Sequence, residues 1–129
     1  VKVFKTKEFV RFARREKIAE ARLCEAVDRA VRGLIDADLG GGLIKQRIAR
    51  PGQGRSGGYR ALMAFRSGHR AVFVYGFAKS ERGNIGPDEL EFWPRISTAF
   101  FRMDDVRLVL MIDQLELKEV SCDEEGDVP

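Results

Sequence analysis

The 129-residue chain holds one histidine, one tryptophan and two cysteines, and each scarcity removes a class of function. A single His69 excludes acid–base chemistry run by a pair of histidines, and its place in a tight turn makes it a turn residue first. Cys24, in a helical pattern, and Cys122, in an acidic stretch, lack metal-site spacing and do not suggest a disulfide framework, so both read as incidental. No apolar run approaches the roughly 18–20 residues of a membrane span, and the first residues lack the apolar centre of a secretion signal. The expectation is a cytoplasmic protein with no membrane role. The length is that of one domain with a modest core, and no internal repeat is visible. The carboxylate pairs Asp88-Glu89 and Asp104-Asp105 stand at predicted helix starts, where capping accounts for them better than metal or glycoside chemistry. No cofactor is indicated.

What the chain has in excess is positive charge in one place. Its net charge is only +3, yet residues 45–82 carry nine Lys and Arg against one Glu, and residues 83–129 carry four against twelve Asp and Glu. The middle block, at +8, is a focusing field for a polyanion. Its glycines and aromatics favour nucleic acid over a lipid surface.

That block begins within Gly42-Leu-Ile-Lys-Gln-Arg-Ile-Ala-Arg-Pro-Gly-Gln-Gly-Arg-Ser-Gly-Gly-Tyr-Arg60, which reads as strand, glycine loop and second strand. Ile44 and Ile48 mark a buried face, so Lys45 and Arg47 project together from the other. The loop from Pro51 to Gly58 exceeds the roughly two to five residues a hairpin needs, and its glycines let successive N–H groups approach an anion. A GxxxxGK[ST] phosphate loop is excluded, because Tyr59-Arg60 opens a strand where that motif requires lysine and then a helix. Arg50, Arg55 and Ser56 are read as guides for an RNA backbone. Lys45, beside Arg47 in a cationic cluster, is expected to have its pKa lowered by like-charge repulsion, which suits it to act as base or proton relay.

Around this block the chain reads as α+β. Val1 to Lys5 is a short strand, Thr6 a helix N-cap, and a helix from near Lys7 buries Phe9, Phe12 and Ala13 while Arg11, Arg14 and Arg15 stay solvated. A second helix, from about Ile18, is ended by Gly40 to Gly42. Strands at 43–49, 59–65 and 71–77 pair antiparallel in sequence order. The helical hairpin covers one face and leaves the other partly open as a groove. Pro87 starts a helix that Pro94 interrupts, a further helix runs to Asp113, and Leu115 to Val120 alternates as a last strand. Residues 1–120 are read as one domain and 121–129 as an acidic, disordered tail.

The stretch GGLIKQRIARPGQGRSGGYR, then FRSG, then VFVYGFAKSERGNI, resembles the RelE-like toxins of bacterial toxin–antitoxin modules, in their HigB-related branch. The match is dense over residues 41–85. The resemblance implies a two-layer RelE-like α+β fold, with an N-terminal strand and helical hairpin packed on an antiparallel sheet, and C-terminal helices. It implies a metal-independent mRNA endoribonuclease without cofactors, acting on free message or at the ribosome and neutralised by a helix-turn-helix antitoxin. Lys45 and Arg47 match the cationic pair on the family's second strand, Arg60 the arginine after Gly-Tyr, and Lys79 and Arg82 the basic turn. In that correspondence Arg60 braces the scissile phosphate, and Lys79 or Arg82 stabilises or protonates the leaving oxygen. The best-known members carry a base-stacking tyrosine after this turn, where this chain has Ile85; Tyr75 and Phe77 are the candidates to replace it. Two other functions fit the same fold: a ParE-like toxin that binds DNA gyrase, and a non-catalytic RNA-binding module. Lys45, Arg47 and Arg60 speak against the gyrase reading.

Overall fold

The structure, a computed structural model, describes the backbone of residues 2–50, 54–66, 69–79 and 86–122, with side chains throughout these except at 50 and 54–57. The elements are β1 (Lys2–Thr6), α1 (Lys7–Arg15), α2 (Glu20–Val31), β2 (Ala37–Gly40), β3 (Leu43–Arg50), β4 (Gly54–Phe65), β5 (Arg70–Ala78), α3 (Pro87–Arg102), α4 (Asp105–Asp113) and β6 (Leu117–Val120). The strands form one sheet in the order β2-β3-β4-β5-β1-β6. β1 runs parallel to β5, and every other neighbouring pair is antiparallel. This is the α+β architecture read from the sequence, with the N-terminal strand built into the sheet.

Each face of the sheet carries its own core. On the first, Phe9, Phe12, Leu23 and Val27 from the helical hairpin pack on Ile44, Ile48, Met63 and Phe73. On the second, Phe100, Phe101 and Leu108 from α3 and α4 cover Leu43, Leu62, Ala64 and Val72. The second face is therefore less open than expected. The apolar stripe of α3 and α4 has to be buried, and each large side chain it buries contributes about 1.5–3 kcal/mol. Two glycines set how closely the layers approach. A Cβ on Gly76 would lie 2.4 Å from the Phe12 ring, and one on Gly42, at φ +82°, would lie 2.3 Å from Phe101.

Three expectations are corrected. α2 ends at Val31, with Gly33 at φ +83° and closing bonds from Gly33 to Ala30 and from Leu34 to Arg29. The glycines at 40–42 instead turn a hairpin between β2 and β3. α3 runs unbroken through Pro94. The proline costs it one backbone bond, but α3 is held by its packing on the second core and by the approach of Pro94 to Gly41. Cys24 and Cys122 are joined by a disulfide across a separation of 98 residues. Pairing of β6 with β1 returns the end of the described chain to α2, a proximity that spacing along the sequence does not reveal. In the chain-entropy view a link of this length stabilises by about 4–5 kcal/mol. The rest of the expected tail, residues 123–129, lies outside the described residues. No helix among the described residues is long and apolar enough to cross a membrane.

Candidate functional site

The site is built by strand alternation. Ile44, Gln46 and Ile48 of β3 are buried on the first face, so Leu43, Lys45 and Arg47 share the second. Leu43 lies under the helices, Lys45 is half-buried and Arg47 is exposed. The register sets Arg60 opposite Arg47 and Phe77 opposite Arg60, while Leu62 stands opposite Lys45 and Tyr75 opposite Leu62. Two rungs on the same face, Arg47–Arg60–Phe77 and Lys45–Leu62–Tyr75, thus gather three cations and two aromatic residues at one end of the sheet. Neighbouring strands are about 4.8 Å apart, and same-face rungs about 6.7 Å apart.

Crowding of like charges shows in the protonation behaviour. The Lys45 pKa is lowered from 10.5, first by burial, then by Arg60 and Arg47, with Asp36 opposing. Like-charge repulsion, the cause expected from sequence, is present, but burial stands first. Burial also lowers the pKa of Arg60, followed by Arg47, again with Asp36 opposing. Beside the cations, Tyr75 stacks on Trp93 with ring centroids 5.5 Å apart and planes at 24°. Phe77 stands 6.0 Å from Tyr75. Tyr75 keeps part of its surface exposed whereas Phe77 is buried, so Tyr75 is the ring that a base could reach.

The remaining candidates fall elsewhere. Lys79 is exposed just beyond β5, where its N–H donates to the Gly58 carbonyl at 3.2 Å. Arg82 lies outside the described residues, as do the side chains of Arg50, Arg55 and Ser56. The backbone of those last three is strand: β4 begins at Gly54, and Arg50 pairs with Gly54. Most of the expected glycine loop is therefore an extension of the β3–β4 hairpin.

Other cations of the basic block serve the fold. Buried Arg70 donates to the carbonyls of Phe100 and Met103 at 2.9 and 3.0 Å, and its guanidinium is 3.6 Å from Asp105. It closes the C-terminal end of α3, where a cation is favoured. Arg66 lies 4.5 Å over the Phe101 ring. His69 sits edge-on to the same ring at 6.1 Å, far along the sheet from Arg60. The carboxylates read as caps behave as caps: Glu89 accepts from the Gly86 N–H at 3.0 Å and Asp104 from the Arg107 N–H at 2.8 Å.

Sequence reading missed the group behind the cations. Fully buried Gln46 accepts from the Asp36 N–H at 2.8 Å and donates to the carbonyls of Ala26 and Leu34 at 3.0 and 3.3 Å. A polar residue between Ile44 and Ile48 on a buried stripe is a legible signal, because it must find partners there. Its partners, however, come from α2 and the segment after it, which the strand pattern does not identify.

The arrangement is a concentration of cations on one sheet face, one of them a lysine of lowered pKa, beside an aromatic ledge. Among the described residues, no three His, Cys, Asp or Glu side chains gather as a metal site. No curated protein matches the chain. A family model described as the RelE toxin of the RelE/RelB toxin–antitoxin system matches residues 1–120, a span that holds the whole sheet, the four helices and all three clustered cations. The chain belongs to the RelE toxin family, whose members are the toxin partners of an antitoxin.

Proposed function

We propose that this toxin, of the HigB-like branch, is a metal-independent mRNA endoribonuclease that stops translation in the cytoplasm, cutting message alone or in the ribosomal decoding site. The observation that carries the reading is the placement of Lys45, Arg47 and Arg60 on neighbouring rungs of one face. Lys45, whose pKa is lowered by burial and by Arg60 and Arg47, takes the proton of a ribose 2'-OH. The freed O2' attacks the adjacent phosphorus, the bond from phosphorus to O5' breaks, and Arg60 and Arg47 balance the charge that builds on the phosphate. Lys79 or Arg82 returns a proton to O5', leaving a 2',3'-cyclic phosphate and a 5'-hydroxyl. Arg50, Arg55 and Ser56 guide the flanking backbone, and Tyr75 offers a face for a base. A helix-turn-helix antitoxin neutralises the toxin by covering this surface.

End-group analysis of a message in translating extract tests the reading. Cleavage should persist in chelator with ribosomes kept intact, yield the cyclic phosphate or its opened form, and stop when the scissile residue is 2'-deoxy. Efficient cutting of the deoxy substrate would overturn the mechanism, and absence of any cutting by the wild type would favour a gyrase-binding or RNA-binding role.

A further inference from the structure

We propose that Asp36 is the positioning residue of this basic site, the carboxylate that seats Arg47 on β3 and serves as counter-charge to Lys45 and Arg60. The inference rests on the reading of Lys45, Arg47 and Arg60 as the phosphate-handling set.

The geometry begins with a strand that stops short. β2 pairs with β3 only as far as Ala37 opposite Lys45, so the edge of β3 at Arg47 has no strand beside it. Its main-chain groups need partners all the same. Asp36, one residue before β2, supplies the first: its Oδ2 accepts from the Arg47 N–H at 2.7 Å. Arg29 of α2 supplies the second, donating to the Arg47 carbonyl, while its other nitrogen stands 3.4 Å from the same Asp36 oxygen. A side-chain ion pair thus takes over the ladder where β2 ends. Gln46 ties the Asp36 main chain back to β3, so the carboxylate is fixed by its backbone as well as by its partners.

A purely structural clamp would need only an acceptor at this position. Asp36 does more, because its charge reaches the face where the cations stand. The charges acting on Lys45 include Arg60 from β4, Arg47 from β3 itself and Asp36 from the connection before β2. Asp36 favours the protonated lysine, and it acts on Arg60 in the same sense. Asp36 therefore keeps Lys45 from losing its proton too early and holds the backbone that aims Arg47.

Asp36→Asn separates the two roles, since its amide oxygen still accepts from the Arg47 N–H while the charge is gone. In the full chain, with lysine side chains isotopically labelled and Lys45 assigned through Lys45→Arg, the Lys45 titration followed by NMR should move to lower pH in Asp36→Asn. The limb of the cleavage pH–rate profile that reports Lys45 deprotonation should move the same way. Asp36→Ala should add faster hydrogen exchange at the Arg47 amide, by at least about tenfold, because the bond to a charged acceptor is lost. An unmoved Lys45 titration in Asp36→Asn overturns the counter-charge role, and unchanged Arg47 exchange in Asp36→Ala overturns the positioning role. Both measurements are made without RNA, so a wild-type protein that cuts nothing would refute the nuclease reading and leave this one decided on its own data.

Discussion

The two ends of the sheet face beneath α3 are made by the same alternation and meet opposite ends. At one, the rung Leu43–Ala64–Val72 lies sealed under Phe100 and Phe101. At the other, the rung Arg47–Arg60–Phe77 sets two arginines directly across from each other. Both ends carry arginine, so residue type does not separate them. At the sealed end Arg70 finds the carbonyls that close a helix, and its charge is absorbed. At the other, Arg60 stands opposite Arg47 and one rung from Lys45, and its guanidinium donates to the Tyr59 carbonyl at 3.3 Å rather than closing a helix. A cation in a basic block is structural or functional according to what its donors reach.

The largest test removes a cation from the basic end. Lys45→Ala and Arg60→Ala should each lower the single-turnover cleavage rate by about 100- to 1,000-fold, while the affinity for an uncleavable 2'-deoxy oligonucleotide falls far less. Equal losses in rate and affinity would make these residues binders only. The counterpart at the sealed end is Arg70→Met, which leaves the Phe100 and Met103 carbonyls without their donor. Denaturant unfolding should show a loss of about 2–3 kcal/mol, with cleavage per folded molecule close to wild type. Slow cleavage at full stability would place Arg70 in the site after all. The smallest effect sharpens the contrast by its sign. Because like charges directly opposite across a sheet are destabilising, Arg47→Gln should raise stability by a few tenths to about 1 kcal/mol even as cleavage slows. A lower unfolding midpoint in that variant would mean that Arg47 has structural partners beyond its main chain.

The strands of the site were legible because their information is local. Alternation of Ile44 and Ile48 with Lys45 and Arg47 states the faces of β3 within five residues, and the turn at Arg66 to His69 states the hairpin that follows. What escaped reading depends on partners distant in sequence. Pro94 looks like a break until the Gly41 turn lies against it. Cys24 and Cys122 look unrelated until β6 closes beside β1. Asp36 looks like one of many surface carboxylates until β2, starting one residue after it, leaves the Arg47 edge of β3 for its carboxylate to meet. The second layer was missed for the same reason: α3 and α4 were read as helices, but the face they cover is fixed only by the sheet.

The parallel pairing of β1 with β5 also has a bearing on how the chain acquires its fold. The hairpins β3–β4 and β4–β5 join segments that follow one another, and their loop closures are short. β1 instead pairs Lys2 with Arg70 on one side and Val3 with Val120 on the other. Contacts so far apart in sequence are slow to form, because the entropy of closing long loops is lost before the strand gains its neighbours. In a chain made from its N-terminus, the first strand waits for the fifth and then for the sixth. The two strands that carry the clustered cations, with β5 beside them, can therefore assemble early, and docking of β1 between β5 and β6 becomes the slow closing step of folding.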